Sequence, residues 1–403
     1  MITVVGGTYR ELCIEPNHNE IYGSGLRAVK LLLENTDDAI NFYTSGNSFI
    51  KSHLSNYCKV YNKLSTNVID NDVLFTFKYS FFLDNPNIYP SVNSNESKNL
   101  VRVKDKNVIC FGMLDSNFQI DAEKVVFDPQ SSCAPISFND SSNAKELVYI
   151  VNLNEAKVLS KKEQLDDILE HFFCTEKVFA LIIKNGPYGA TLFESKSTKY
   201  EIPVFKSSNV FKIGSGDIFT TVFGYYWLSG QINELKKCAE KASKITAIYC
   251  EYGAYSNLFK GCDVMKQLKN LKIEHSEIID KQVYLAGPIF SLSNLILIDK
   301  VRDCFIDMGI RVFSPYHDVG IGDSTEIAKS DIVGIDTSDI VFAIIDGLDS
   351  GTMIELGYAM SKGKKIVGYN KNENVDSLLM LSPANCVFHR DLTSAIYHTI
   401  WNI

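Results

Sequence analysis

The chain has 403 residues and ten cysteines, but no two cysteines form a C-x-x-C pair. Zinc ribbons and dithiol redox chemistry are therefore excluded. None of the seven histidines has another four positions away, so no helical metal pair is expected and no metal site is assigned. No uninterrupted apolar run of about 18 residues occurs, which argues against a membrane span. Positive charge is in deficit, with 40 Lys and Arg against 48 Asp and Glu and a net charge of −8. Duplex nucleic acid and anionic membranes both demand a basic footprint, so neither is expected as a partner. Small anionic ligands stay open, because a nest of backbone amides binds them without net charge. There is no leader pattern at Met1, and low-complexity tracts and short repeats are missing. The expected location is a reducing cytoplasm with free thiols.

What is present is an ordinary globular composition, 45% hydrophobic and 22% charged. The length suits two or three domains. The same grammar opens two regions, a short β-rich run ending in glycine: "ITVVGG" from Ile2 and "QVYLAG" from Gln282. We place one domain at 1–262, a Lys-rich connector at 263–281 and a second domain at 282–403. In the first, "NVICFGML" (Asn107–Leu114), "KVVFDP" (Lys124–Pro129), "ELVYIVN" (Glu146–Asn152) and "VFALIIKNG" (Val178–Gly186) read as buried strands. Leu26–Asn35 and Asp217–Gly230 read as helices, the second buried. Apolar strands alternating with helices imply a mostly parallel sheet covered on both faces. Leu64–Val103 is turn-rich and reads as a loop or an inserted hairpin.

The second region reads β-α-β-α-β-α-β. Its strands fall at Val283–Ala286, Ile310–Ser314, Ile340–Ile345 and Lys365–Tyr369, and its helices at Asn294–Met308, Ser324–Thr337 and Gly351–Gly363. This is a small doubly wound sheet, in which ligands sit beyond the carboxyl ends of the strands.

Two stretches carry chemistry. In "KIGSGDIF", Gly214, Ser215 and Gly216 precede a helix entered at Asp217. Small residues and free helix-start amides cradle an anion, and an aspartate there accepts a proton from an attacking hydroxyl. Those parts suit phosphoryl transfer to an alcohol; a plain turn with an aspartate cap fits the four residues equally well. In "DSGTMIELGYAMSKGK" (Asp349–Lys364), Glu355 lies near the start of a helix that Gly351 opens, with Asp349 in the loop before it and Asp331 expected at the start of another helix or in the loop preceding that. A carboxylate on a rigid element is a competent nucleophile toward an anomeric carbon, and retaining glycosyl transfer also needs an acid for the leaving group. The positive end of the helix is expected to keep Glu355 ionised. A routine dipole partner and a routine cap remain the bland alternative.

Residues 1–258 resemble the ribokinase-like (PfkB) carbohydrate kinases. "GSGD" (Gly214–Asp217) is similar to their G-A-G-D, "NLNEAKVL" (Asn152–Leu159) to their N-x-x-E segment, and "KNGPYGATLF" (Lys184–Phe193) to their strand-turn-strand. The resemblance implies a ribokinase-like α/β sandwich using ATP and Mg2+. Asp217 would be the base, and Gly214, Ser215 and Gly216 the anion hole. Asn154 and Glu155 would lie near magnesium and phosphates, with Lys184 and Gly186 also on the cofactor. Departures are visible. Glu11 stands where the family has its sugar-binding aspartate, "GSGLRAV" (Gly23–Val29) has no asparagine, and "FKI" (Phe211–Ile213) replaces Asp-Thr-Thr. About 15 residues between Gly7 and Gly23 leave little room for lid strands. An unusual acceptor, or a half that binds nucleotide without turnover, follows from these changes.

Residues 282–390 resemble nucleoside 2-deoxyribosyltransferases. "VYLAGPIF" (Val283–Phe290), "DIVGIDTSD" (Asp331–Asp339) and "DSGTMIELGYAMSKGK" carry the resemblance. It implies a flavodoxin-like domain with Glu355 as covalent nucleophile and Tyr284 as the hydroxyl orienting it. Asp331 and Asp349 would bind or protonate the base, with Gly287 and Gly351 against substrate. No cofactor is implied for this domain. The partners implied are nucleosides or nucleotides and further copies of the chain, since such sites are completed by a neighbour; "DSLLMLSPAN" (Asp376–Asn385) is the expected source. Water in place of an acceptor base would make the same residues a hydrolase.

Overall fold

The computed structural model describes residues 1–92, 99–130, 135–260, 270–271, 280–320, 324–381 and 385–403. They form two compact units. One comprises Met1–Ser80, Asn85–Ser207 and Phe211–Asn270; the other comprises Phe81–Asp84, Ser208–Val210 and Leu271–Ile403. Most of the expected connector 263–281 lies outside the described residues.

The N-terminal unit begins with β1 (Ile2–Val5), β2 (Arg10–Glu15), β3 (His18–Ile21) and α1 (Gly23–Asn35). It continues through β4 (Ile40–Gly46), α2 (Ser48–Val60), β5 (Leu64–Asp70), β6 (Thr76–Phe81) and β7 (Asn87–Tyr89). Next come β8 (Asn99–Phe111), β9 (Ser116–Asp128), β10 (Asn143–Asn152), α3 (Leu153–Ser160) and α4 (Leu165–Glu170). It ends with β11 (Ala180–Lys184), β12 (Ala190–Phe193), β13 (Lys199–Ile202), β14 (Val204–Phe205), α5 (Ser215–Leu228), α6 (Leu235–Tyr252) and, near the boundary, β15 (Asn270–Leu271).

Nine strands make the main sheet in the order β13-β12-β11-β10-β9-β8-β1-β4-β5. Its pairs are parallel except β11–β12 and β12–β13. Alternate residues feed two cores. Val4, Ile109 and Ile150 pack with α1, α5 and α6; Val5, Val108 and Tyr149 pack with α3 and α4. Continuous apolar runs are what such a two-sided sheet requires. Only Gly112–Asp115 link β8 to β9, although the two pair in parallel from Asn99↔Ser116 to Phe111↔Asp128. A link that short cannot span a straight strand of this length. Both strands must fold back together near Lys106 and Glu123, where the register skips a pair.

A second sheet, in the order β3-β2-β6-β7, forms a small lid. The short interval between Gly7 and Gly23 does hold lid strands, against expectation. A tight antiparallel pairing of Arg10–Cys13 with His18–Ile21 needs only a turn between them. The rest of the lid comes from the polar stretch after Leu64, where the inserted hairpin, rather than the loop, is formed: β6 pairs antiparallel with β7.

The C-terminal unit contains β16 (Gln282–Ala286), α7 (Leu292–Asp307), β17 (Arg311–Phe313), α8 (Ser324–Thr337) and β18 (Ile340–Ile344). It finishes with α9 (Ser350–Ser361), β19 (Lys365–Tyr369), β20 (Cys386–His389) and α10 (Leu392–Asn402). The strand order is β17-β16-β18-β19-β20, all parallel. Counted within the unit this is 2-1-3-4-5, the flavodoxin-like order, with its switch point beside β16. A fifth strand and a final helix, β20 and α10, add to the four strands and three helices read from the sequence. Helices α8 and α9 pack together on one face, and α7 and α10 on the other. Among the described residues no helix is long and apolar enough to cross a membrane.

Candidate functional site

In each unit the expected residues lie on strands, on the turns that follow them and on the neighbouring helices. In the C-terminal unit Tyr284 is on β16, Gly287 follows its end, Asp331 is on α8 and Glu355 is on α9. Asp331 sits mid-helix rather than in a loop or at a helix start. Asp349 is the N-cap of α9. Its Oδ2 accepts from Thr352 N at 2.9 Å and Thr352 Oγ1 at 3.0 Å. The helix starts at Ser350, so Glu355 falls in its second turn. The dipole effect fades within the first turn, and the electrostatics follow burial instead. Burial, opposed by the Tyr284 hydroxyl and reinforced by Asp331 and Asp349, pushes the Glu355 carboxyl up to about 7. The expectation that the helix end keeps it ionised is corrected accordingly.

The Tyr284 hydroxyl is buried without a hydrogen bond of regular geometry, and so is Asp331 Oδ1. Tyr284 still lies close enough to Glu355 for each to shift the other. Burial, then the charges of Glu355 and Asp331, hold its phenol protonated. Burial raises Asp331. Two orphaned polar atoms beside a carboxyl mark a place where a polar ligand completes the bonding. The Tyr284 ring is fixed by a stack on Phe313, with centroids 5.6 Å apart and planes 14° apart. Phe313 in turn needs Gly334 on α8, where an added Cβ would sit 2.4 Å from its ring. Gly351 lies in the first turn of α9, and an added Cβ there meets Asp349 Oδ2 at 3.2 Å.

Residues 283–385 match the family model for nucleoside 2-deoxyribosyltransferase. The matched segment includes Tyr284, Asp331, Asp349 and Glu355. No curated protein matches the chain. Among solved structures the chain is similar to a ribokinase from Thermotoga maritima at 15% identity, covering 67% of this chain and 96% of that one, with a TM-score of 0.45. It is also similar to a nucleoside kinase from Methanocaldococcus jannaschii, at 16% identity, coverage of 66% and 99%, and a TM-score of 0.44. A fructokinase from Vibrio cholerae O395 gives 11% identity, coverage of 66% and 98%, and a TM-score of 0.48.

In the N-terminal unit Asp217 is the third residue of α5. Gly214 caps that helix at φ +75°, a conformation glycine adopts freely. A side chain at Gly214 would also collide with Arg27, whose Nε would lie 2.0 Å from its Cβ. Arg27, on α1, is fully buried. Its Nε donates to Asp217 Oδ2 at 3.0 Å, its Nη2 to Glu11 Oε2, and its Nη1 to Tyr255 Oη at 2.6 Å and Tyr249 Oη at 3.3 Å. The other Asp217 oxygen accepts from Gln130 Nε2. Burial raises Asp217, and Arg27 and Gln130 oppose that without overcoming it. For Glu11 burial is outweighed by Arg27 and His18, and its carboxyl is held low. Glu11 Oε1 also accepts from Gly23 N at 3.1 Å.

On the other side of the cradle, Lys184 Nζ pairs with Asp128 Oδ2 at 2.7 Å and lies 3.6 Å from where a Cβ on Gly216 would be. Lys212 Nζ donates to Ser215 Oγ at 2.9 Å. Glu155 is buried and forms a capping box with Asn152. Burial pushes it up to about 7, with Lys184 opposing and Asp128 adding. Asn154 is exposed on the first turn of α3; the asparagine that meets Glu155 is Asn152. Gly186 opens the turn after β11 at φ +57°. A cavity of about 740 Å³ lies under the lid. Glu11, Gly214, Gly216, Asp217 and Gln130 form its polar end, and Tyr9, Phe77, Tyr79, Ile88, Met113 and Ile136 its apolar walls.

Sequence reasoning missed Arg27, Asp128 and Gln130. The signals were present: an arginine inside the apolar run "GLRAVKLLL", and polar residues closing the strand "VVFDPQ". Among the described residues no three acidic, cysteine or histidine side chains are placed to hold a metal by themselves. Magnesium is usually bound through one or two carboxylates plus substrate phosphates, and Glu155 beside the cradle fits that role. The helix-start amides with Lys184 and Lys212 fit a polyphosphate.

Proposed function

We propose that the C-terminal unit cleaves and re-forms the N-glycosidic bond of a (deoxy)nucleoside, with retention, through a covalent sugar–Glu355 ester. The observation that carries this reading is Glu355 beside two orphaned buried polar atoms, Tyr284 Oη and Asp331 Oδ1. Ionised Glu355 attacks C1′, and the C1′–N bond breaks. Its electron pair leaves with the base, which takes a proton from Asp331, whose carboxyl burial raises. An incoming base then attacks C1′, returns its proton to Asp331 and frees Glu355. Tyr284 orients the nucleophile, and Asp349 holds the start of α9. Exposed Phe290, Leu292, Ile354 and Met380 supply apolar surface for association with a second copy of the chain.

Chromatography of deoxyinosine incubated with the protein, with and without adenine, tests this beside Glu355→Ala. Deoxyadenosine formed only by the unaltered protein supports transfer. Hypoxanthine released equally without adenine makes the enzyme a hydrolase. No change with any nucleoside or nucleotide ends the reading.

For the N-terminal unit we propose phosphoryl transfer to a hydroxyl, using ATP and Mg2+. Bound at Gly214–Gly216, Lys184, Lys212 and Glu155, the nucleotide would supply the phosphoryl group. Asp217 takes the acceptor's proton, and the helix-start amides stabilise the charge that develops. The engagement of both Asp217 oxygens favours a second reading, in which the unit binds nucleotide and does not turn it over. Radiolabelled ATP with a panel of nucleosides and sugars separates the two: label transfer that Asp217→Asn abolishes supports the first, and binding without transfer supports the second.

A further inference from the structure

We propose that Glu373 and Asp346 are positioning residues of the C-terminal site. Through a reciprocal clasp they hold Leu348 in a left-handed conformation, and that conformation sets where Asp349 and the first turn of α9 stand. The inference rests on the glycosyl-transfer reading for what α9 then does with Glu355.

Leu348 has φ +46°. That region crowds Cβ against the following carbonyl, and bulky side chains seldom adopt it. Such a residue persists only where its surroundings over-determine it, and functional sites are where such residues gather. Leu348 directly precedes Asp349, the N-cap of the helix that carries Glu355. Two restraints are local. Its side chain packs against the core cluster that holds Tyr284 and Leu356, and its N–H closes a tight turn on Ile345 O at 3.0 Å.

The third restraint comes from the next strand. β18 and β19 pair in parallel up to Ile344↔Tyr369, so the loops that follow them lie side by side. Buried Asn370 closes one of them into a turn: its Oδ1 accepts from Glu373 N at 2.9 Å, and its Nδ2 donates to Glu373 O at 3.2 Å. From that turn Glu373 Oε1 accepts from Gly347 N at 2.9 Å. In return Asp346 Oδ1 accepts from Asn372 N at 2.9 Å, and its Oδ2 from Asn372 Nδ2 at 3.2 Å. Each loop gives the other a carboxylate and a backbone amide, and bonds to an ionised acceptor are the stronger kind. Asp346 and Gly347 immediately precede Leu348, so the clasp blocks the backbone rotation by which Leu348 would relax. Without it φ returns toward negative values, Asp349 swings, and its bonds to Thr352 N and Oγ1 go with it.

The test pairs amide hydrogen–deuterium exchange of the full-length protein with the kinetics of base transfer from deoxyinosine to adenine. Glu373→Ala should speed amide exchange in the first turn of α9 by about tenfold and lower kcat by about tenfold or more. Glu373→Gln, which keeps an oxygen acceptor, should restore both. Leu348→Gly is the discriminating background, because glycine adopts positive φ without strain. There Glu373→Ala should change either readout by no more than about twofold. A clasp that merely stiffens the surface would have the same effect in both backgrounds. Unaltered amide exchange in Glu373→Ala, no recovery in Glu373→Gln, or equal effects in the two backgrounds overturns the inference. If the unaltered protein transfers no base, the glycosyl-transfer reading falls, and amide exchange alone decides whether the clasp holds α9.

Discussion

Arg27 and Asp217 stand 190 positions apart in the chain and meet at 3.0 Å, Arg27 fully buried and Asp217 nearly so. The same guanidinium holds Glu11. A buried triplet of this kind forms only when the lid strand, the first helix and the cradle helix are all in place. Removing the central charge leaves two carboxylates buried and unpaired. Arg27→Met should therefore cost about 3–5 kcal/mol of stability, read as a fall in the urea midpoint of the N-terminal unit. Adding Glu11→Gln and Asp217→Asn to that variant should recover much of the loss. A triple variant no more stable than the single one would show that packing, not charge, makes Arg27 necessary.

Glu355 links stability to pH in the opposite sense to an ion-paired acid. Its carboxyl binds a proton more tightly in the folded chain, at about 7, than at its ordinary value of 4.5. The folded state therefore holds the extra proton between those values, and stability falls as pH rises through that window. Glu355→Gln removes the penalty. The variant should match the unaltered protein near pH 4 and exceed it by about 1–2 kcal/mol at pH 8, after allowance for partial exposure. Denaturant melts at the two pH values check this. A constant difference across the window would mean the carboxyl is not perturbed.

The parts of this architecture that were legible in the sequence are those with local causes. Continuous apolar runs gave the central strands of both sheets. Glycine with Ser215 and Asp217 gave the cradle, and the acids around Gly351 gave the second site. The lid was legible only as a loop or an inserted hairpin after Leu64, and β2 and β3 not at all, because its strands are short, half-exposed and carry no strong period. The last strand, β20, is only four residues long with an exposed valine. Arg27 was hidden for a different reason. A charged residue inside an apolar helix is explained only by partners from β2, α5 and α6, and no local pattern records those. The helix begins at Ser350 with Asp349 as its cap, so Glu355 is its sixth residue and lies past the first turn, where the helix-end charge has faded.

The rate of glycosyl transfer should carry the same carboxyl. Glu355 must be ionised to attack, so kcat should rise with pH through about 7. Asp331 is assigned to protonate the leaving base, so Asp331→Asn should slow the reaction most for bases that leave poorly without a proton. The Tyr284 hydroxyl lowers the Glu355 carboxyl; Tyr284→Phe should therefore move the lower limb to higher pH as well as slow the reaction. A lower limb that stays in place in Tyr284→Phe would show that the hydroxyl does not act on the nucleophile.

The two glycines of the cradle should respond differently to the same added methyl group. At Gly214 the backbone has φ +75°, and the new Cβ would lie 2.0 Å from Arg27 Nε. The chain pays for the strained backbone, and the guanidinium must also leave Asp217. Gly214→Ala should cost about 2 kcal/mol or more, seen in denaturant melts, and should weaken any ligand held by Glu11 and Asp217. At Gly216 the nearest atom outside the helix is Lys184 Nζ, at 3.6 Å, which is ordinary contact. Gly216→Ala should leave stability within about 0.5 kcal/mol, while its methyl group occupies the space where a phosphate approaches the amides. The expected signature is a raised KM for ATP, or a raised Kd where no turnover occurs, with an unchanged melting curve. Equal stability losses at both positions would place Arg27 away from the cradle, and unaltered nucleotide affinity in Gly216→Ala would move the phosphate site elsewhere.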